Sequence, residues 1–254
     1  MRALYDLSRY LTSYNFAEWL IQVEALGATM IVFDARLIRA DKWPHPYNVR
    51  RFESICEPMP ALIGLPHETW RNGANIDLRA RDMVRPGGGP LVAFWKAGGR
   101  FKRLRSVKSP GTERYTVTLR KTQRAPGRNS DEPMWRDFAR EIGARVISDY
   151  DDEPIHLHDR VALYAGAEMN FFVSNGPGIL CSFTEYPCMM FNTHHAAGSL
   201  KEDGLAWGEQ YPWMLGNQRS IWEEATSRSV RDYFYHWKRT GTFLERATAP
   251  ATAP

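Results

Sequence analysis

Tyr115-Thr-Val-Thr-Leu119 opens the stretch that decides the fold, and Cys188-Met-Met-Phe191 closes it. The first run is rich in β-branched residues and reads as a strand. After a polar loop, Asp131–Ile142 carries Met134, Trp135, Phe138 and Ile142 at helical spacing. Asp131 and Glu132 suit its first turn, where the helix dipole favours negative charge, and Gly143 closes it. Arg145-Val-Ile-Ser148 is the next strand, Asp159 to Ala167 a short helix, and Met169 to Val173 a buried strand. A tight turn, Ser174-Asn-Gly-Pro-Gly178, leads to another short helix and the closing strand. Strands and helices alternating at these lengths predict right-handed crossovers and a parallel sheet.

Working outward, the N-terminal part repeats the pattern. Ala3–Leu7 is a short strand; Phe16, Trp19, Leu20, Val23 and Leu26 make a helical stripe over 14–26; Gly27 ends it, and Met30-Ile-Val-Phe33 is a strand closed by Asp34. Pro60–Gly64 and Leu91–Trp95 read as further strands. The glycine-rich, basic segment from Ala97 to Arg114 marks a boundary between two lobes. A last helix is expected from Gln218 to Lys238, with Val230, Tyr233, Phe234 and Trp237 as its core stripe. The Ala/Thr/Pro tail, 247–254, is expected to be disordered.

The chain has 254 residues, 43% of them hydrophobic and 24% charged, enough for a core without covalent staples. Three cysteines, Cys56, Cys181 and Cys188, make neither a disulfide framework nor a zinc spacing. No segment approaches the ~20 apolar residues of a membrane span, and the start of the chain lacks a signal-peptide pattern. A cytoplasmic, soluble protein is the expectation. The net charge of +4 is uneven: eleven Lys/Arg face one acid, Glu113, between Lys96 and Arg128. Such a stretch attracts an anionic partner or is a solvated connector.

In open parallel sheets ligands sit beyond the carboxyl ends of strands. After Leu119 come Arg120, Lys121, Arg124 and Arg128, whose charges suit a diphosphate. Ser174, Asn175, Gly176, Pro177 and Gly178 offer close backbone approach and free N–H groups at a helix start. The loop from Ser8 to Asn15 lacks G-x-G-x-x-G, against a dinucleotide site, and no P-loop or G-x-S-x-G elbow occurs. His156 and His158 could share a metal, but capping of the next helix is the simpler role.

From Tyr115 to Asn192 the chain resembles the donor-binding half of GT-B glycosyltransferases, most of all the heptosyltransferase-like group. The matching residues are Val117–Lys121, Phe138-Ala-Arg-Glu-Ile-Gly-Ala-Arg-Val146, Leu163–Met169 and Val173-Ser-Asn-Gly-Pro177. Leu119-Arg-Lys-Thr122 is also similar to the H-x-R-R-x-D loop of fucosyltransferases, with Thr118 and Gln123 replacing His and Asp. The resemblance covers about a third of the chain. It implies two Rossmann-like doubly wound lobes: 1–100 on the acceptor side and 101–217 on the nucleotide-sugar side, with a C-terminal helix, 218–246, packing back. It implies metal-independent, inverting sugar transfer from a nucleotide-sugar to a glycan or other hydroxyl acceptor, with no cofactor. Arg120, Lys121 and the Asn175–Gly178 turn would contact the diphosphate. The family's first loop carries Gly-Asp; here it is Tyr14-Asn15, and asparagine cannot take a proton. Asp6 and Asp34 are the candidate bases, with Glu18 also nearby in sequence. A non-catalytic nucleotide- or glycan-binding relative is the alternative. A nucleic-acid binder using Phe94, Trp95, Phe101 and Tyr115 among the basic residues is the least favoured.

Overall fold

The computed structural model describes residues 1–10, 12–38, 45–71, 88–107, 114–122, 126–150, 154–193 and 205–246. Two parallel sheets carry the fold. The first has three strands, β1 (Arg2–Asp6), β2 (Met30–Asp34) and β3 (His67–Trp70), in that order. The second has five: β4 (Tyr115–Lys121), β5 (Arg145–Tyr150), β6 (Met169–Val173), β7 (Cys188–Phe191) and β8 (Gln218–Ser220). Its order, β5-β4-β6-β7-β8, reverses direction between β4 and β6. Double winding therefore belongs to the five-stranded sheet, whereas the three strands described in the other follow one another consecutively.

Seven α-helices accompany them: α1 (Phe16–Ala25), α2 (His45–Arg51), α3 (Gly88–Lys96), α4 (Glu132–Ile142), α5 (Leu157–Ala165), α6 (Gly176–Phe183) and α7 (Ser227–Thr240) among the described residues. Helix α4 begins where Asp131 accepts the Met134 N–H at 3.2 Å and ends at Gly143, whose φ is +67°. Period-two alternation sorts the five-stranded sheet's side chains. Tyr115, Val117, Phe171 and Phe191 face a core with Trp135 and Phe138 of α4 and Tyr233 and Phe234 of α7. Phe172 and Met190 face the opposite way, toward α5 and α6. That second core is continuous with the one under β1, β2 and α1, so both sheets share it.

Three expectations are corrected. Pro60–Gly64 is not a strand: Met59–Leu62 is a 3-10 turn, favoured by prolines that fix φ and closed by Gly64 at φ +78°. Leu91–Trp95 lies in helix α3, since a five-residue apolar run carries no period that separates helix from strand. The third strand of the small sheet is instead the polar His67–Trp70, parallel to β2. Finally, the helix expected from Gln218 starts at Ser227. Gln218–Ser220 is the edge strand β8, and Thr226 with Ser229 forms the capping box of α7. The 247–254 tail lies outside the described residues.

Candidate functional site

The strand order reverses between β4 and β6, and in open parallel sheets ligands bind in the crevice beyond the carboxyl ends of the strands at such a point. The loops after these strands are the two that the sequence singles out. In the first, Asn129 and Ser130 close the loop on itself. Asn129 Oδ1 accepts the Thr122 N–H at 2.9 Å, its Nδ2 donates to Thr122 O, and Ser130 Oγ accepts the Arg120 N–H at 2.9 Å. Arg120 Nη1 donates to Asn129 Oδ1 at 3.0 Å, so this guanidinium braces the loop. Lys121 is exposed and 4.0 Å from Glu132. Arg124 lies outside the described residues.

Arg128 joins the two loops. Its Nη2 donates to the Ser174 carbonyl at 3.2 Å, while its buried Nε meets no acceptor among the described residues. Ser174 N–H donates to Phe191 O. Asn175 is 7% exposed and its Oδ1 caps α6 by accepting the Gly178 N–H at 2.9 Å; its Nδ2 is buried without an acceptor among the described residues. A buried donor left unmade is costly unless a ligand or water completes it. Pro177 sits in the first turn of α6, where its missing N–H costs nothing.

The glycines of this turn lie close to other side chains. A Cβ on Gly176 would come 3.0 Å from Cδ2 and 3.1 Å from Cβ of Tyr14, and one on Gly178 3.3 Å from Met190 and Phe172. The close approach at Gly176 is therefore taken by Tyr14, only 2% exposed, from the loop after β1. Asn15, beside it, is exposed and its side chain makes no cap for α1.

Behind Tyr14 lies Arg160, a residue that the sequence patterns above do not single out. It is 0% exposed; its guanidinium lies 5.4 Å from the Tyr14 ring centre and donates to Tyr164 Oη at 3.0 Å. Tyr164 Oη in turn meets Thr118 Oγ1 at 3.0 Å. A signal for it exists: Leu157, Arg160, Val161 and Tyr164 share one face of α5, and three of the four are apolar core residues.

Asp6 and Asp34 stand side by side at the carboxyl ends of β1 and β2. Asp34 is gripped by Arg36 through Nε at 2.8 Å and Nη2 at 2.6 Å, and these hydrogen bonds hold its carboxyl below the usual carboxylate range. Asp6 Oδ1 accepts from Ser8 N and Oγ at 2.9 and 2.6 Å, and Oδ2 makes a looser 3.3 Å pair with exposed Arg9. His156 caps α5 by accepting the His158 N–H. Among the described residues no three His, Cys, Asp or Glu side chains are grouped to hold a metal, and no helix is long and apolar enough to cross a membrane. His194 and His195 lie outside them.

No family model, curated protein or solved structure matches this chain. What the site can do follows from its own chemistry. The loops after β4 and β6 offer one arginine spanning them and a helix N-terminus with a spare amide beside it. That set suits an anionic head group such as a diphosphate. Much of the basic stretch is spent internally: Arg103 donates to the carbonyls of Ser182, Thr184 and Trp213, Arg114 pairs with Glu168, and Lys96 with Glu209. Its aromatic residues also turn inward. Tyr115 is buried, and Trp95 and Phe101 pack together and against Trp213.

Proposed function

We propose that this chain is a glycosyltransferase of the GT-B type, transferring a sugar from a nucleotide-sugar to an acceptor hydroxyl with inversion and without a metal. The observation that carries the reading is Arg128: it bridges the β4 and β6 loops where the strand order reverses, with an Nε that a phosphate oxygen would complete. The diphosphate would lie between Arg128 and the first turn of α6. Negative charge grows on that group as the sugar–phosphate bond breaks, and fixed donors stabilise it most at that moment. The acceptor's proton would go to Asp6 rather than Asp34. Both oxygens of Asp34 are committed to Arg36 or its turn, whereas Asp6 Oδ2 has only the loose Arg9 contact among the described residues.

A second reading, binding of the nucleotide or a glycan without transfer, draws support from Tyr14. Its ring fills the space before Gly176 that an acceptor would otherwise enter. Thermal unfolding against nucleoside diphosphates and nucleotide-sugars tests both. A ligand at 100 times its dissociation constant adds about 2.7 kcal/mol. Arg128→Ala should abolish the rise in Tm, whereas Arg120→Ala should lower the unliganded Tm, at a cost of about 1 kcal/mol for the lost Asn129 bond, and keep the rise. Absence of any nucleotide shift rejects the transferase and the nucleotide-binding readings, and the same scan with glycans tests glycan binding; a shift without turnover of any donor favours the second.

A further inference from the structure

A cleft of about 400 Å³ opens on the other face of the five-stranded sheet, between the first turns of α4 and α7. Its lining includes Gly127 and Asn129, the chain neighbours of Arg128, and Asn192 and Glu224. Its volume is within the range of small-molecule sites, toward the small end. The groups that normally make such a place attractive to anions are already used. Asp131 caps α4 and Thr226 caps α7, so both helix starts are closed by their own side chains. Among the described residues lining the cleft there is no lysine or arginine, while Asp131 and Glu224 are carboxylates that repel an anion.

What remains is a set of unfilled hydrogen-bonding groups of both kinds. Trp135 is 1% exposed, lines the cleft, and has an indole N–H with no acceptor among the described residues. Asn192, held in the left-handed region at φ +57°, accepts the Ala225 N–H on its Oδ1, which leaves its amide donors over. Glu224 makes no side-chain hydrogen bond or ion pair among the described residues and supplies acceptors. Met134 adds apolar wall. Donors and acceptors without a cation match hydroxyl groups, which donate and accept at once.

We infer that this cleft binds a neutral hydroxylated ring, a saccharide unit, at a site separate from the diphosphate crevice. The shared chemistry also fits the ribose of a nucleoside, and the test separates the two. In ¹H–¹⁵N spectra of the full chain the nine tryptophans give nine indole signals, and Trp135→Phe identifies the one from Trp135. Neutral mono- and disaccharides, unphosphorylated nucleosides and inorganic phosphate are titrated in turn. A saccharide should move the Trp135 signal saturably, and Glu224→Ala, a change at an exposed residue, should weaken binding by about tenfold, the scale of one charge-assisted hydrogen bond. If nucleosides alone move it, the ring is ribose and the saccharide assignment is overturned. The inference also fails if no neutral ligand moves the signal at millimolar concentration, if phosphate moves it more strongly, or if Glu224→Ala binds equally well. Should Trp135→Phe not fold, saturation-transfer spectra of the saccharides with native and Glu224→Ala protein decide the same question. The outcome is independent of the donor reading, which is tested by the nucleotide-induced Tm shift at Arg128.

Discussion

At the residue scale, the local partner of each ionisable group decides what it can contribute. Asp34 is partly buried, and the Arg36 fork lowers its pKa. A carboxylate with a depressed folded pKa adds stability above its unfolded value, and that stability is lost as pH falls through the folded value. Arg36 itself is exposed, so water screens the pair and its contribution at pH 7 is expected to be small. The urea midpoints of native protein and Asp34→Asn should therefore differ slightly at pH 7 and converge near or below the unfolded value of 3.8. A gap that widens in acid would contradict the pairing. The cysteines show the opposite effect. Burial raises the thiol of Cys181 and pushes those of Cys56 and Cys188 up to about 12, and only the thiolate is a nucleophile. All three should be silent to a disulfide reagent at pH 8 in the native state and react together in denaturant. Early reaction of one would locate a local opening.

At the scale of elements, α4 shows how a sequence announces its own structure. Asp131 at the cap, the 3.6-residue stripe of Trp135 and Phe138, and Gly143 at the end each make the same local demand. A Cβ on Gly143 would touch nothing within 4 Å, so Gly143→Ala isolates the cost of a left-handed backbone, about 1–2 kcal/mol. Urea unfolding of that variant should show the full loss with no change in ligand-induced shift. The elements that the sequence misstates lack such agreement. Leu91–Trp95 is too short to display a period. His67–Trp70 becomes a strand because β2 offers it a parallel edge, a long-range cause that four polar or aromatic residues cannot reveal. Gln218 belongs to a strand because its side chain donates to the carbonyls of Cys181, Thr184 and Tyr186, contacts from over thirty residues away. The same division holds at the site. Arg128, Ser174 and Asn175 stand out in the sequence as candidates because loops beyond strand ends are where such residues gather, and the structure brings Arg128 to the Ser174 carbonyl. That Tyr14 packs against Gly176 depends on how the loop after β1 meets α6, which no local pattern encodes.

At the scale of the whole molecule, that meeting of loop and helix decides how the chain behaves as a unit. The core under β1 and β2 contains Tyr5, Phe16 and Phe33, and it runs without a break into Phe172, Leu180 and Phe183. A three-stranded sheet that shares its apolar side in this way has little reason to unfold alone. Fluorescence and far-UV circular dichroism should accordingly trace one coincident urea transition, and two separated transitions would show that the sheets are energetically independent. The seam between them can be probed directly through Tyr14 and Gly176. Gly176→Ala pushes a methyl to 3.0 Å from a ring that is itself buried, an overpacking that costs roughly 1–3 kcal/mol. Tyr14→Ala removes the ring, leaves Arg160 with Tyr164 as its remaining aromatic neighbour, and should cost about 3–5 kcal/mol, like other large-to-small core changes. In the double variant the new methyl no longer meets the ring. The combined loss should fall short of the sum by about 1 kcal/mol or more, the signature of residues in contact. Strict additivity would mean that the first loop does not press on α6 in solution. The crevice at Arg128 would then be open toward the small sheet, which would remove the observation that favours binding without transfer.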